Sequence, residues 1–251
     1  MTDTMSINDY LAQGGVLTSP ANVPPRYRAE LMKIMATFVD SELAGAAGFA
    51  EIINDAPGIR ERIAAAKIVM EKTDNAGRVL RLMGDFGADT TRYANHHPWA
   101  QRLNRSDDIG ASRVEHDMRL AVFNYPLEGW ADAVVMNMVM GAAGSVQLGE
   151  LAGVSYQPLA EMFRAIKPVE DHHVELAKEG LKRLLDEGQR EAIAASVAYW
   201  RPRVAASFGT DNSQKAQTLK DMGLRRTGNA ALRSQWEAAL NQSLTGLGLA
   251  N

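Results

Sequence analysis

Four long stretches of the sequence repeat apolar residues every three or four positions, the spacing of one face of an α-helix. They predict long helices from about Pro25 to Asn54, Pro57 to Phe86, Leu127 to Gly153 and Pro158 to Glu187. Shorter helices are predicted near residues 188–207, 212–222 and 228–246. Four long helices with one long crossover between the second and third are typical of a ferritin-like bundle, although a plain helical array would share much of this pattern.

The predicted fold class is therefore all-α, a ferritin-like four-helix bundle with additional C-terminal helices. Residues 1–23 are expected to form an irregular N-terminal arm, because glycines and prolines interrupt any regular pattern there. Residues 24–251 are expected to form a single helical domain.

The sequence contains no cysteine, which excludes disulfides, thiolate metal sites, iron–sulfur clusters and cysteine nucleophiles. The net charge of −3 gives no electrostatic reason to expect nucleic acid or an anionic membrane as a partner. No apolar run approaches about 18 uninterrupted residues, and the first residues are polar and acidic, so neither a transmembrane helix nor a secretion signal is expected. We therefore expect a cytoplasmic protein.

One carboxylate lies in the middle of an apolar helical face. In the first long helix, Glu42 shares a face with apolar residues spaced three and four positions apart between Leu31 and Ile53. An unpaired buried carboxylate is costly and needs a metal ion, a cation or a proton. Glu42 is therefore either a metal ligand or one half of a buried salt bridge.

The fourth long helix carries a Glu-x-x-His motif, formed by Glu170 and His173, on a face that is otherwise apolar. Because these residues are three positions apart, the carboxylate and the imidazole lie side by side and can bind one metal ion. Charged residues occupy the opposite face of the same helix. The alternative is a core histidine whose hydrogen bonds are satisfied by its neighbours.

The second and third long helices are less informative. Glu71 and Asp74 repeat the three-residue spacing, and a bundle that takes carboxylates from every helix would use them. They fit equally a solvated face on which Lys67 and Arg78 form ion pairs at i, i+4 spacing. The third helix should supply one more ligand, yet its inward stripe through Asn137 contains no carboxylate.

The remaining histidines are weaker candidates for a site. His96 and His97 lie in a proline-bounded loop and are expected at the surface. His116 lies in a short helical stretch predicted near Ala111–Leu120 and is flanked by acidic residues, so it is expected to be solvated. His172 points about 100° away from its neighbour in the Glu-x-x-His motif and is expected to be exposed or to support the site from outside.

Several short motifs follow one another between about Pro25 and Gly248. They are Ser41-Glu42, Ala66-Lys67 before Glu71, Phe123-Asn124-Tyr125-Pro126, Trp130-Ala131-Asp132, Ser155-Tyr156 with Pro158, Glu170-x-x-His173, Tyr199-Trp200-x-Pro202 and Phe208-Gly209. In this order they resemble the oxygenase α-subunit family of multicomponent phenylacetyl-CoA epoxidases. The same superfamily includes a structural partner subunit that has the fold without the metal centre.

The resemblance implies two iron ions held between four helices. Catalytic members use a glutamate from the first helix, a Glu-x-x-His from the second, a carboxylate from the third and a Glu-x-x-His from the fourth. Glu42, Glu71, Glu170 and His173 match these ligands residue by residue. Asp74 stands in place of the second-helix histidine and could still bind metal through oxygen.

Two further positions complete the comparison with the family. Gly141 stands where the family has its third-helix acid, and glycine cannot bind metal through a side chain. Lys67 matches a family lysine beside the site, so the resemblance places it with Glu42, Glu71 and Glu170 among the catalytic residues. This ligand set is rich in oxygen and poor in nitrogen, so the expected cofactors are two iron ions (Fe2+/Fe3+), or manganese, or a partly occupied site.

The activity implied by the resemblance is a metal-dependent monooxygenase that inserts one oxygen atom from O2 into an aromatic or related acyl-CoA thioester. A separate reductase would supply electrons, and a related structural subunit would be a partner, in a homo- or hetero-oligomer. Two alternatives remain open. The chain could be a non-catalytic structural subunit of the same type of complex, or a ferritin-like oxidase that acts on another small molecule.

Overall fold

The computed structural model describes residues 6–94, 99–113 and 117–249, and in these ranges the chain contains α-helices and no β-strand. The four long helices are α2 (Pro25–Ile52), α3 (Ile59–Asp85), α5 (Gly129–Leu151) and α6 (Gln157–Asp186). The shorter helices are α1 (Ile7–Ala12), α4 (Thr91–Ala94), α7 (Arg190–Ala206), α8 (Gln214–Asp221) and α9 (Asn229–Gly246). The expectations for His96, His97 and His116 fall outside the described residues.

The helices predicted from periodicity are confirmed, with ends that differ by a few residues. Gly87, at φ 71°, follows α3 directly, in the left-handed backbone conformation that glycine adopts without strain. The N-terminal arm is less irregular than expected, because the Ser6 hydroxyl accepts from the backbone N–H of Asp9 and begins α1. The described residues of Ala111–Leu120 are not helical; a 3₁₀ turn at Ala121–Asn124 follows them instead.

The long helices pack as a four-helix bundle. Helix α2 lies against α3 and α5, and α6 lies against α5 and α3, which confirms the ferritin-like, all-α class. Helix α5 is also covered by α7 and α9, so it is surrounded on most sides. This explains why its sequence is apolar around nearly its whole circumference. None of the helices described is both long and apolar enough to cross a lipid bilayer.

Two apolar regions build most of the core. One lies between α2, α3 and α6 and includes Leu31, Met35 and Phe163. The other surrounds α5 where α7 and α9 cover it and includes the fully buried Trp200 and Trp236. A cluster of polar side chains from all four long helices lies within the bundle, and that cluster contains most of the residues predicted to form a site.

Asp132 on α5 joins the crossover to α7. Its carboxylate accepts two bonds from Arg105 at 2.8 Å each, one from the Ser196 hydroxyl at 2.5 Å and one from Trp200 Nε1 at 2.8 Å. Burial alone would raise the pKa of Asp132, but these hydrogen bonds outweigh burial and lower it. Asp132 therefore holds the added C-terminal helices against the bundle and faces away from the polar cluster.

Candidate functional site

The polar cluster inside the bundle draws one side chain or more from each long helix. Glu42 comes from α2, Lys72 from α3, and Glu170 with His173 from α6, and all four are buried. Asn137 from α5 closes the cluster by donating to the backbone carbonyl oxygen of His173 at 3.1 Å. The structure therefore brings Glu42, Glu170 and His173 together, as the spacing of the apolar stripes predicts.

Lys72 lies at the centre of this cluster. Its ammonium nitrogen is 2.6 Å from Glu170 Oε2 and 3.1 Å from Glu42 Oε1, so one cation bridges two buried carboxyl groups on different helices. The Asn75 side chain, also buried, donates to the other Glu170 oxygen at 3.1 Å. Of the two alternatives that the sequence leaves open for Glu42, the buried salt bridge is the arrangement that the structure contains.

The charges of the cluster nearly cancel without any further ion. Burial would lower the pKa of Lys72, but the adjacent Glu170 and Glu42 raise it, so this lysine stays charged. Burial would raise the pKa of Glu170, yet Lys72 and His173 outweigh burial and lower it. Burial, followed by the charge of Glu170, raises the pKa of Glu42 to about 8 even though Lys72 opposes the rise. At neutral pH the cluster therefore holds one ammonium, one carboxylate and one largely protonated carboxyl group.

A proton on Glu42 also accounts for an otherwise unexplained atom. Glu42 Oε2 is buried and has no hydrogen-bond partner in the described structure when the group is ionised. A protonated Glu42 can donate to the neighbouring carboxylate of Glu170, which removes the cost of a buried oxygen without a partner.

Glu71 reaches the cluster from its outer side. Its Oε2 is 2.7 Å from His173 Nε2, and His173 Nδ1 is 3.4 Å from Glu170 Oε1. The side chain of Glu71 is about a quarter exposed, and its other oxygen is 3.7 Å from Lys67 Nζ. Lys67 is half exposed and touches the cluster only through Glu71, so the structure places it at the rim.

Asp74 is not part of the cluster. Its side chain is 54% exposed and forms an i, i+4 ion pair of 2.7 Å with Arg78. For this stretch of α3 the solvated-face interpretation is the one that holds, because the turn from Glu71 to Asp74 carries the side chain outward. His172 is exposed, as expected from its angle to His173.

The third-helix position is closed to an acid. A Cβ atom at Gly141 would lie 2.7 Å from Val174 Cγ2, closer than real side chains approach. The glycine therefore permits close packing of α5 against α6, as its position within a helix suggests. The same crowding leaves no room for the carboxylate that a four-helix metal site would take from α5.

These residues do not fit the two-metal centre that the resemblance implies. The Lys72 ammonium lies within hydrogen-bond distance of the two carboxyl groups that would bridge or bind metal, and a dication between them would meet that positive charge. Asp74 points outward, and Gly141 offers neither a ligand nor space for one. In the described ranges, no three His, Asp or Glu side chains are arranged to hold a metal ion.

A small cavity adjoins the cluster on its α5 side. Its volume is about 80 Å³, and Glu42, Lys72 and Glu170 form its polar end. Apolar side chains and the glycines Gly45, Gly48, Gly141 and Gly144 form the rest of the lining. A dry cavity of about 150 Å³ is known to accommodate benzene. The cavity here is therefore too small for an aromatic ring unless the surrounding helices move.

The two residues that sequence reasoning missed are Lys72 and Asn75. Both lie on the inner face of α3, which also carries Ala65, Ile68 and Val79 at three- and four-residue spacing. A lysine in the middle of that apolar series was the available signal. It was obscured because the neighbouring Glu71 and Asp74 draw attention to the other side of the helix.

Comparison with known proteins agrees with the fold and with the motifs. A family model described as phenylacetic acid catabolic protein matches residues 5–251. A protein of Escherichia coli (strain K12), named as a subunit of 1,2-phenylacetyl-CoA epoxidase, is 24% identical over 241 residues, which cover 94% of this chain and 73% of that protein. The resemblance inferred from the sequence is thereby confirmed, and the chain belongs to the phenylacetic acid catabolic protein family.

Proposed function

We propose that this chain is a non-catalytic structural subunit of an oxygenase complex of the phenylacetyl-CoA epoxidase type. The observation that carries the proposal is the Lys72 ammonium, which neutralises Glu170 and contacts Glu42 inside the bundle. A buried lysine can replace a bound cation as the group that makes inward-facing carboxylates tolerable. The fold can then persist without metal.

Two further features support a structural role. The cavity beside Lys72, at about 80 Å³, is too small for the acyl group of an aromatic thioester. Gly141 is packed against Val174, so the bundle is closed where a substrate would need to approach the centre. In such a complex the oxygen chemistry would belong to a related catalytic subunit, with electrons from a separate reductase.

The competing proposal is a catalytic, metal-dependent monooxygenase that acts on an acyl-CoA. One observation favours it, namely that Glu42, Glu71, Glu170 and His173 all lie in one cluster although Asp74 does not. The name of the E. coli relative as an epoxidase subunit is compatible with either proposal.

Metal counting separates the two proposals. Purified protein is incubated anaerobically with ferrous iron, freed of excess metal and analysed by mass spectrometry of the elements, alongside Glu170→Gln and Lys72→Ala. We expect the unmodified protein to retain far less than one iron per chain, and Glu170→Gln to retain no less than that. Stoichiometric iron that is lost in Glu170→Gln would refute the structural role and support the catalytic one.

The Lys72→Ala variant gives the experiment a positive arm. Removing the ammonium leaves Glu42, Glu71, Glu170 and His173 without their internal cation. We expect divalent metal to raise the melting temperature of this variant and not that of the unmodified protein, since a ligand that binds the folded state stabilises it. An equal rise in both proteins would mean that Lys72 does not block the site.

A further inference from the structure

One face of α3 presents large apolar side chains to solvent. Ile59 is 78% exposed, Ile63 62% and Met70 65%, and the exposed Ala66 lies between the last two. These four residues are four, three and four positions apart, so they form one continuous line along the helix, here called the α3 stripe. Within the described ranges, the only other large apolar side chains that are exposed lie near the N-terminus.

The α3 stripe has no counterpart within the part of the chain that the structure describes. The opposite face of α3 packs against α2 and α6, which leaves the stripe on the outside of the bundle. Continuous apolar surface of this kind is typical of a protein contact, because isolated exposed apolar residues are common but aligned ones are not.

Charged residues beside the stripe are ordered along the helix. At about 100° per residue, Arg60, Glu71 and Asp74 all lie on the same flank of the stripe. Arg60 stands near the start of α3, is 70% exposed and touches only Glu179, at 3.5 Å. Glu71 and Asp74 stand about three turns later. The flank therefore begins basic and continues acidic.

We infer that the α3 stripe is the contact surface between two copies of this chain, packed antiparallel about a two-fold axis near Ala66. In a two-fold contact the same patch is used on both copies, so the same flank of one helix faces that of the other in reverse order. The basic start of each α3, at Arg60, then meets the acidic segment of the other, at Glu71 and Asp74. The apolar residues of the two stripes interleave between these pairs.

The order of charges selects this occupant over a parallel arrangement, which would place like charges together. The stretch from residue 59 to residue 71 is about 18 Å long, so one helix pair forms a contact at the small end of specific interfaces. We therefore expect a dimer that forms at micromolar concentration and dissociates on dilution. This inference does not depend on whether the polar cluster binds metal.

Cysteine cross-linking tests the geometry directly. The chain has no cysteine, so a single introduced thiol reports one position. Near the two-fold axis, Ala66→Cys should give a disulfide-linked dimer under mild oxidation, since the two thiols lie within the reach of a disulfide. Lys182→Cys, on an exposed position of α6, is the matched control and should remain monomeric on a non-reducing gel. Equal cross-linking of the two variants would overturn the inference.

Sedimentation equilibrium tests the energetics. Ile63→Glu should raise the dimer dissociation constant by about ten-fold or more, while circular dichroism shows unchanged helix content. Arg60→Asp and Asp74→Arg should each weaken the dimer, and the double variant should recover affinity because the pair is restored in reverse. A protein that stays monomeric at all concentrations, or a dimer that Ile63→Glu leaves intact, would show that the stripe serves another partner.

Discussion

Replacing Lys72 with methionine isolates the electrostatic role of the buried ammonium. Methionine is close to lysine in length and keeps the packing of the side-chain stem, so the change removes mainly the charge. Lys72 Nζ lies 2.6 Å from Glu170 and 3.1 Å from Glu42, and all three residues are less than a tenth exposed. The variant therefore leaves a buried carboxylate without its cation.

The expected destabilisation follows from this geometry. At an effective dielectric constant of about 20, unit charges about 3 Å apart attract by roughly 6 kcal/mol, and the cost of removing both from water offsets part of that attraction. Removing one partner from a buried pair typically costs about 3–5 kcal/mol. We expect Lys72→Met to lower the free energy of unfolding at pH 7 by this amount, measured by urea denaturation.

The pH dependence of the same variant gives a second check. In the unmodified protein the pKa of Glu170 is lowered, so its stabilising contribution is present above about pH 4.5 and is lost as the pH falls. In the variant Glu170 has lost Lys72, and burial should raise its pKa instead. The deficit of the variant should therefore be largest near neutral pH and shrink as the solution is acidified below about pH 5.

Lys67→Met is the matched control, because Lys67 lies little more than one turn away, is half exposed and is 3.7 Å from Glu71. An exposed pair of this kind contributes at most about 1 kcal/mol. If Lys72→Met were as stable as Lys67→Met, or if its deficit did not change with pH, the account of Lys72 as the internal counter-ion would be wrong.

Three other substitutions test separate parts of the structure. Glu42→Gln mimics the protonated carboxyl group; because the pKa of Glu42 is raised to about 8, its contribution is greatest below about pH 4.5 and is lost toward pH 8, so the variant should gain on the unmodified protein by up to about 4 kcal/mol over that range of urea measurements, and a flat difference would contradict the raised pKa. Gly141→Ala should lower the melting temperature, because its Cβ would meet Val174 at 2.7 Å, whereas Gly144→Ala meets nothing within 4 Å and should stabilise α5 by about 0.5–1 kcal/mol; the opposite order would refute the packing argument. Asp132→Asn should cost about 2–4 kcal/mol at pH 7, since it removes the charge that four hydrogen bonds serve, and a smaller cost in calorimetry would mean that Asp132 holds α7 only weakly.

The positions of the long helices could be predicted from the sequence because each element presents its own apolar face. The stripe around Glu42 and the stripe around Glu170 and His173 are both buried as their spacing requires. What spacing could not decide is which group satisfies a buried carboxylate. That depends on a side chain from a different helix, and Lys72 is recognised as that group only when α3 is placed against α2 and α6.

The same limit explains the outcome for Asp74 and Glu71. They are three positions apart, yet Glu71 bends inward to His173 while Asp74 remains with Arg78 at the surface. A three-residue separation corresponds to about 60° of rotation, which is enough to move a side chain from the rim of a cluster into solvent. The short turns of the crossover were also beyond reach, because their backbone is fixed by contacts with distant helices rather than by local periodicity.

The enclosure of α5 by α2, α6, α7 and α9 has a consequence for local opening of the protein. A helix that is covered on most sides cannot expose its amides to deuterated solvent unless its neighbours separate as well. Deuterium uptake in α5 should therefore follow the unfolding of the whole bundle, while α1 and α8, which are short and lie at the periphery, should exchange through brief detachment. The backbone of α5 is thus a built-in gauge of global stability, readable without a label or a bound ligand.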